Sequence, residues 1–201
     1  MKPYSHLKKE YLCAVFLIIK QFIDQLQKQE EAVCYSEFPY VDILKMAEKM
    51  GIVAIKFAPP ESIGRNEHAY LDKEKATIYI NEKDSEEQQR FSIAHELFHF
   101  FLYKEKLIEE LALNPSQKKI IKELVLLNSD NNIKSRERGN KDEKVEALAD
   151  YFASNLLVPI ERFTLWEDRN IKEIAKAFDV TENCVKRRKE EIKLEIDFML
   201  S

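Results

Sequence analysis

Two histidines four residues apart, with a glutamate beside the first, constrain this chain more than any other feature. Residues 91–102 read FSIAHELFHFFL, and within them His95, Glu96 and His99 form the pattern H-E-x-x-H. On a helix, positions four apart lie one turn apart on the same face. Two imidazoles so placed can share one zinc ion, with Glu96 standing beside it as a base. The competing reading is a pair of structural histidines satisfied by backbone or carboxylate groups.

A catalytic zinc takes three protein ligands and keeps one position open. The run Glu146-Ala147-Leu148-Ala149-Asp150 offers the third ligand on a separate helix. Glu146 is the candidate ligand. Asp150, one turn on, can accept the ring N–H of a liganding histidine and hold its orientation. Two carboxylates at this spacing otherwise repel, and a shared cation accounts for them. Glu96 is then a general base that takes a proton from the attacking water and passes it to the leaving amine. An oxyanion donor is also needed; Tyr103, Tyr70, His68 and Tyr151 are the candidates, and sequence does not rank them.

The pattern along the chain is mainly helical with a short sheet, an α+β class. A long helix is predicted over 5–29 from Leu12, Val15, Phe16, Ile19, Phe22, Ile23 and Leu26 at three- and four-residue spacings. A second, over 40–50, stops at Gly51. A strand follows over 52–57, then a hairpin of 68–71 and 76–80 joined by Asp72-Lys73-Glu74-Lys75. The hairpin's second strand, Ala76, Thr77, Ile78, Tyr79 and Ile80, is the expected substrate-binding strand, since an edge strand beside a metal helix can take up a peptide backbone. Ser85 and Gln88 form a capping box for the motif helix, and Asn114 and Gln117 form one for a helix running to 127. On the motif helix Phe91, Ala94, Phe98 and Phe101 make an apolar stripe; Gln88, Ser92, His95 and His99 make a polar one. Residues 128–144 read as a solvated loop. Helices over 142–157 and 171–178, and one capped by Thr181, complete the chain. The expected division is a metallopeptidase domain at 1–165 and a small helix-turn-helix-like module at 166–201.

Composition excludes little else. An apolar share of 45% with 34% charged residues suits a soluble globular protein, and a net charge of −4 gives no general pull toward nucleic acid. Cys13, Cys34 and Cys184 are too few and too scattered for a disulfide framework and read as free thiols in a reducing compartment. The apolar run at 11–19 is too short for a membrane span and lacks a cleavage site after it. The expected location is the cytoplasm, without membrane contact.

Wider segments carry a family resemblance. Ile78-Tyr79-Ile80-Asn81, then Arg90-Phe91-Ser92-Ile93-Ala94-His95-Glu96-Leu97-Phe98-His99, resemble the ImmA/IrrE zinc peptidases. So do Glu146-Ala147-Leu148-Ala149-Asp150-Tyr151-Phe152-Ala153 and Leu156-Leu157-Val158-Pro159. The resemblance implies a thermolysin-like minimal zincin core with a short antiparallel sheet and one Zn2+ per chain on His95, His99 and Glu146. It also implies a protein substrate, a helix-turn-helix repressor of a mobile element, prophage or stress response. The chain departs from the family pattern at Phe98, where Gly is common, and at Asp150, where Asn is common. The interval between His99 and Glu146 is also long.

A second reading, from another class, is a catalytically silent DNA-binding or partner-sensing regulator. Its support is Lys186, Arg187, Arg188 and Lys189 in the C-terminal segment, which could contact phosphates. Glu190, Glu191, Glu195 and Asp197 follow on the same helix, which favours a solvated charged face over direct DNA binding. A toxin–antitoxin component is a third reading, with no feature of its own.

Overall fold

The computed structural model describes residues 9–28, 41–64, 67–130 and 143–199. The fold is α+β and mostly helical, with one three-stranded sheet. Helix α1 (Lys9–Lys28) buries Leu12, Val15, Phe16, Ile19, Phe22 and Ile23, the positions its periodicity selects. Helix α2 (Ile43–Met50) is capped by the Asp42 side chain and ends at Gly51. Gly51 has φ 94°, a left-handed conformation that glycine adopts without steric cost. The ends of both predicted helices at 5–8, 29 and 40 lie outside the described residues. No described helix is long and apolar enough to cross a membrane.

Strands β1 (Ala54–Ala58), β2 (Ala69–Asp72) and β3 (Thr77–Asn81) form a sheet in the order β1-β3-β2. The β2–β3 hairpin is antiparallel, as its sequence predicts, whereas β1 joins β3 in parallel. The sheet is therefore mixed rather than wholly antiparallel. The hairpin turn lacks Asn-Gly, and its left-handed position falls to Ala76, φ 46°. That conformation costs a non-glycine residue about 1–2 kcal/mol. Asp72 offsets it by accepting from the Lys75 amide at 3.0 Å and from the Lys75 ammonium at 2.6 Å.

This strand order corrects one expectation. The strand predicted to bind substrate, Ala76 to Ile80, lies in the middle of the sheet with its main chain paired on both sides. A bound peptide cannot add there. Among the described residues, the sheet edge beside the motif helix is β2.

Between β1 and β2 lies a short helix, α3 (Pro60–Ile63), which the sequence reading left as a strand ending. The motif helix α4 (Glu86–Tyr103) starts where Ser85 accepts from the Gln88 amide. The predicted box is one-sided, because the Gln88 side chain turns instead to Ser92 at 3.3 Å. After α5 (Glu105–Glu109), helix α6 (Pro115–Asp130) opens with a complete box, Asn114 and Gln117 bonding in both directions. Helix α6 runs three residues past its predicted end, so the first part of the expected 128–144 loop is helical; residues 131–142 lie outside the described residues.

Helix α7 (Glu143–Leu157) packs against α4 more extensively than any other helix does. Val145, Leu148, Ala149, Phe152 and Leu156 are all fully buried. Phe152 meets Phe98 of α4 at 5.6 Å between ring centroids and Phe22 of α1 at 5.9 Å. Phe98, the departure from the family pattern, thus fills the core between α4 and α7. After α8 (Ile160–Phe163), helices α9 (Ile171–Phe178) and α10 (Glu182–Met199) pack on each other, and α10 also packs on α7. Asp179 closes α9 in a left-handed conformation, and Thr181 caps α10 by accepting from the Cys184 amide at 3.2 Å.

Because Phe152 joins three helices, Phe152→Ala should lower unfolding free energy by about 3–5 kcal/mol in urea denaturation followed by circular dichroism. A loss under about 1 kcal/mol would mean that the aromatic cluster is not where the core closes.

Candidate metal centre

Helices α4 and α7 run antiparallel where they cross: His95 meets Asp150, and His99 meets Glu146. That crossing brings together side chains 51 residues apart in sequence, His95 and Glu146. The His95 and His99 Nε2 atoms are 3.2 Å apart. Glu146 places Oε2 3.2 Å from His95 Nε2 and Oε1 3.5 Å from His99 Nε2. Three ligands on a tetrahedral zinc with bonds of about 2.0–2.1 Å stand about 3.3 Å from one another. The His95–His99 and His95–Glu146 separations match that size, and among the described residues these three form the one His/Cys/Asp/Glu group whose ligand atoms all lie within 4.8 Å of one another.

The far side of each imidazole is also engaged. Asp150 Oδ1 lies 2.9 Å from His95 Nδ1, and Asn128 Oδ1 lies 2.9 Å from His99 Nδ1. A carboxylate only accepts, so His95 Nδ1 carries the hydrogen and Nε2 faces the other donors. Burial alone would push the His95 imidazolium down, but Asp150 and Glu146 more than offset it and hold its pKa at about 10. Burial pushes His99 below its ordinary value, with the His95 charge adding to it against the carboxylates. The Asp150 carboxyl, which burial would raise, is held below the usual range by His95 and Arg187.

Glu96 adds a second sign that the centre is built for a ligand. It is buried at 4% exposure, and its Oε2 has no hydrogen-bond partner among the described residues. An unsatisfied buried carboxylate oxygen is costly, and this one borders a cleft of about 240 Å³. The cleft is lined by Glu67, His68, Gln88, Ser92 and Phe91 together with His95, Glu96, Glu146 and Asp150. Gln88, Ser92 and His95 of the polar stripe of α4 thus face the cleft, and Phe91, assigned from sequence to the core stripe, turns to its wall.

Of the four oxyanion candidates, His68 alone lines this cleft. Its Nδ1 sits 2.8 Å from Asp84 Oδ2, and its carbonyl accepts from the Asn81 amide, which fixes it at the head of β2. Tyr151 is buried and donates to Glu195 at 2.8 Å. Tyr70 stacks on Tyr79 across the sheet, and Tyr103 stands exposed at the end of α4.

Two further residues escaped the sequence reading. Asn128 was assigned to a solvated loop, yet it is 2% exposed. Its signal was the stripe Gln117, Ile121, Leu124 and Asn128, all buried at helical spacing on α6. Arg187 was read as part of a basic face, yet its guanidinium pairs with Asp150 Oδ2. Its neighbour Arg188 is fully buried, donating to Glu195 at 2.6 Å and to the Val158 carbonyl at 3.0 Å. Of the four cations in the 186–189 cluster, Arg188 therefore turns inward and Arg187 is held in an ion pair while 38% exposed, against a wholly solvated face.

The family model described as Peptidase M78, IrrE N-terminal-like domain, matches residues 47–190. No curated protein matches the chain significantly. A solved structure of a Mycobacterium tuberculosis transcriptional regulator is similar at 16% identity and a TM-score of 0.49, over 87% of this chain and 46% of that one. The chain thus spans less than half the length of that protein.

The His95 proton has a measurable consequence. Below its pKa of about 10, any cation bound at Nε2 must displace that proton, and the competition fades as pH rises. The apparent zinc affinity of metal-free protein should therefore rise about tenfold per unit between roughly pH 6 and 8, with proton release in calorimetry. A zinc Kd flat across that range would contradict the protonated His95.

Proposed function

Because the chain belongs to the Peptidase M78 family, we propose that it is a zinc-dependent endopeptidase that regulates transcription by cleaving a helix-turn-helix repressor. The metallopeptidase part rests chiefly on one observation, the convergence of His95, His99 and Glu146 ligand atoms within 4.8 Å of one another beside an unpartnered Glu96 oxygen. The repressor as substrate rests on the sequence resemblance. Cleavage of a repressor places the protein in the cytoplasm. Residues 1–165 would supply the peptidase domain and 166–201 a helical module.

A zinc ion held by His95, His99 and Glu146 would acidify a water and polarise the scissile carbonyl. Glu96, which lines the cleft and has one buried oxygen without a partner among the described residues, takes the water's proton and returns it to the departing amine. Water attacks the carbonyl carbon, the C–N bond breaks, and the products are a carboxylate and an amine. His68, held through Nδ1 by the Asp84 carboxylate, would donate from Nε2 to the oxyanion in its imidazolium form. The peptide lies along the edge at β2, whose outer N–H and C=O groups can pair with it.

Little favours direct DNA binding. Arg187 and Arg188 are spent on Asp150 and Glu195, Lys186 approaches Glu182, and Lys189 lies over the Phe163 ring.

The test incubates the protein with a purified helix-turn-helix repressor, with cleavage followed by mass spectrometry. Glu96→Gln should keep zinc and fold while lowering kcat by about 10²–10⁴-fold. His68→Gln should lower kcat by about 10²–10³-fold with KM little changed. Wild-type turnover by the Glu96 variant would remove the proteolytic mechanism; wild-type turnover by the His68 variant alone would remove only its assigned role.

A further inference from the structure

We propose that Asn128 is a positioning residue of the metal centre, fixing His99 in the protonation form that leaves Nε2 free to bind. The inference rests on the zinc reading above and extends it to a residue on a third helix. Two hydrogen bonds carry it. The Asn128 amide nitrogen donates to the His99 carbonyl at 3.0 Å. A carbonyl oxygen can only accept, so this contact fixes which end of the amide faces the backbone. The amide oxygen must then be the end that meets His99 Nδ1, 2.9 Å away. That oxygen also only accepts, so Nδ1 must carry the hydrogen. In the neutral ring, the Nε2 lone pair is left pointing at His95 Nε2 and Glu146 Oε1.

Asn128 is itself held. It is 2% exposed on the buried stripe of α6, and its own carbonyl accepts from Lys73 Nζ at 2.9 Å. Lys73 sits in the β2–β3 turn, so the hairpin braces the end of α6 at the residue that orients His99. His95 has a comparable support in Asp150 and Arg187. The two metal histidines are thus oriented from different helices, one by a carboxylate from α7 and one by an amide from α6.

Zinc affinity, measured by competition with a fluorescent chelator, separates this role from simple packing. Asn128→Leu, close in volume but without either polar end, should weaken zinc binding by about 10–100-fold. In metal-free protein, ¹⁵N imidazole spectra should show the Nδ1–H form of His99 in the wild type and its loss in the variant. Asn128→Asp keeps the acceptor and loses the donor. It should retain most of the zinc affinity while the metal-free protein unfolds at lower denaturant. His99→Ala serves as the control for the site itself. Should His99→Ala bind zinc as well as wild type, the metal reading falls and this proposal with it. Should His99→Ala lose zinc while Asn128→Leu keeps wild-type affinity and the Nδ1–H form, the proposal alone is overturned. Equal zinc loss in the Leu and Asp variants would also overturn it, since that is what a packing role predicts.

Discussion

The antiparallel contact between α4 and α7 is the constraint on which the rest of the structure depends. Its apolar part, with Phe98 against Phe152 and Leu148 and Ala149 fully buried, sets the separation and register of the two helices. Its polar part follows from that register: the same crossing sets His95 opposite Asp150 and His99 opposite Glu146. Five polar groups, counting Glu96, meet at one place in an otherwise apolar layer. Such a cluster is expensive unless its members satisfy one another or a shared ligand. Asp150 and Asn128 take up the two Nδ1 atoms, while the two Nε2 atoms and the Glu146 carboxylate converge on one point.

Other elements lock this crossing in place. From the N-terminal side, α1 lays Phe22 against both Phe101 and Phe152. From the C-terminal side, α9 and α10 are tied to both helices by arginines. Arg90 of α4 is nearly buried and reaches the Asp179 carbonyl at 3.0 Å and the Val41 carbonyl at 2.9 Å. Arg187 of α10 pairs with Asp150 of α7. The C-terminal helices are thus joined to the metal centre through an ion pair, and a load placed on α10 would be felt at His95 through one carboxylate.

Much of this was legible in the sequence because it is local. Helix caps at Ser85, Asn114 and Thr181 depend on residues three apart, and the buried stripes of α1 and α7 depend on helical spacing. Glu146 and Asp150 could be read because their one-turn spacing matches that of the histidines they meet. Most of the failures are tertiary. Strand order depends on which strands find each other, and the reading of β3 as an edge could not anticipate β1 pairing along its other side. The direction of Arg187 and Arg188 depends on whether α10 lies against α7, which charge pattern alone does not reveal. Asn128 was misread because a polar run was taken as solvated, although its place on an apolar stripe requires a partner inside.

The central claim is that His95, His99 and Glu146 form one metal site, and elemental analysis of the purified protein tests it most directly. The account predicts one zinc per chain in the wild type and its loss in Glu146→Ala, with the helical circular-dichroism signal retained. Native, folded protein that takes up no zinc, or a Glu146→Ala variant that holds it as tightly as wild type, would contradict the account.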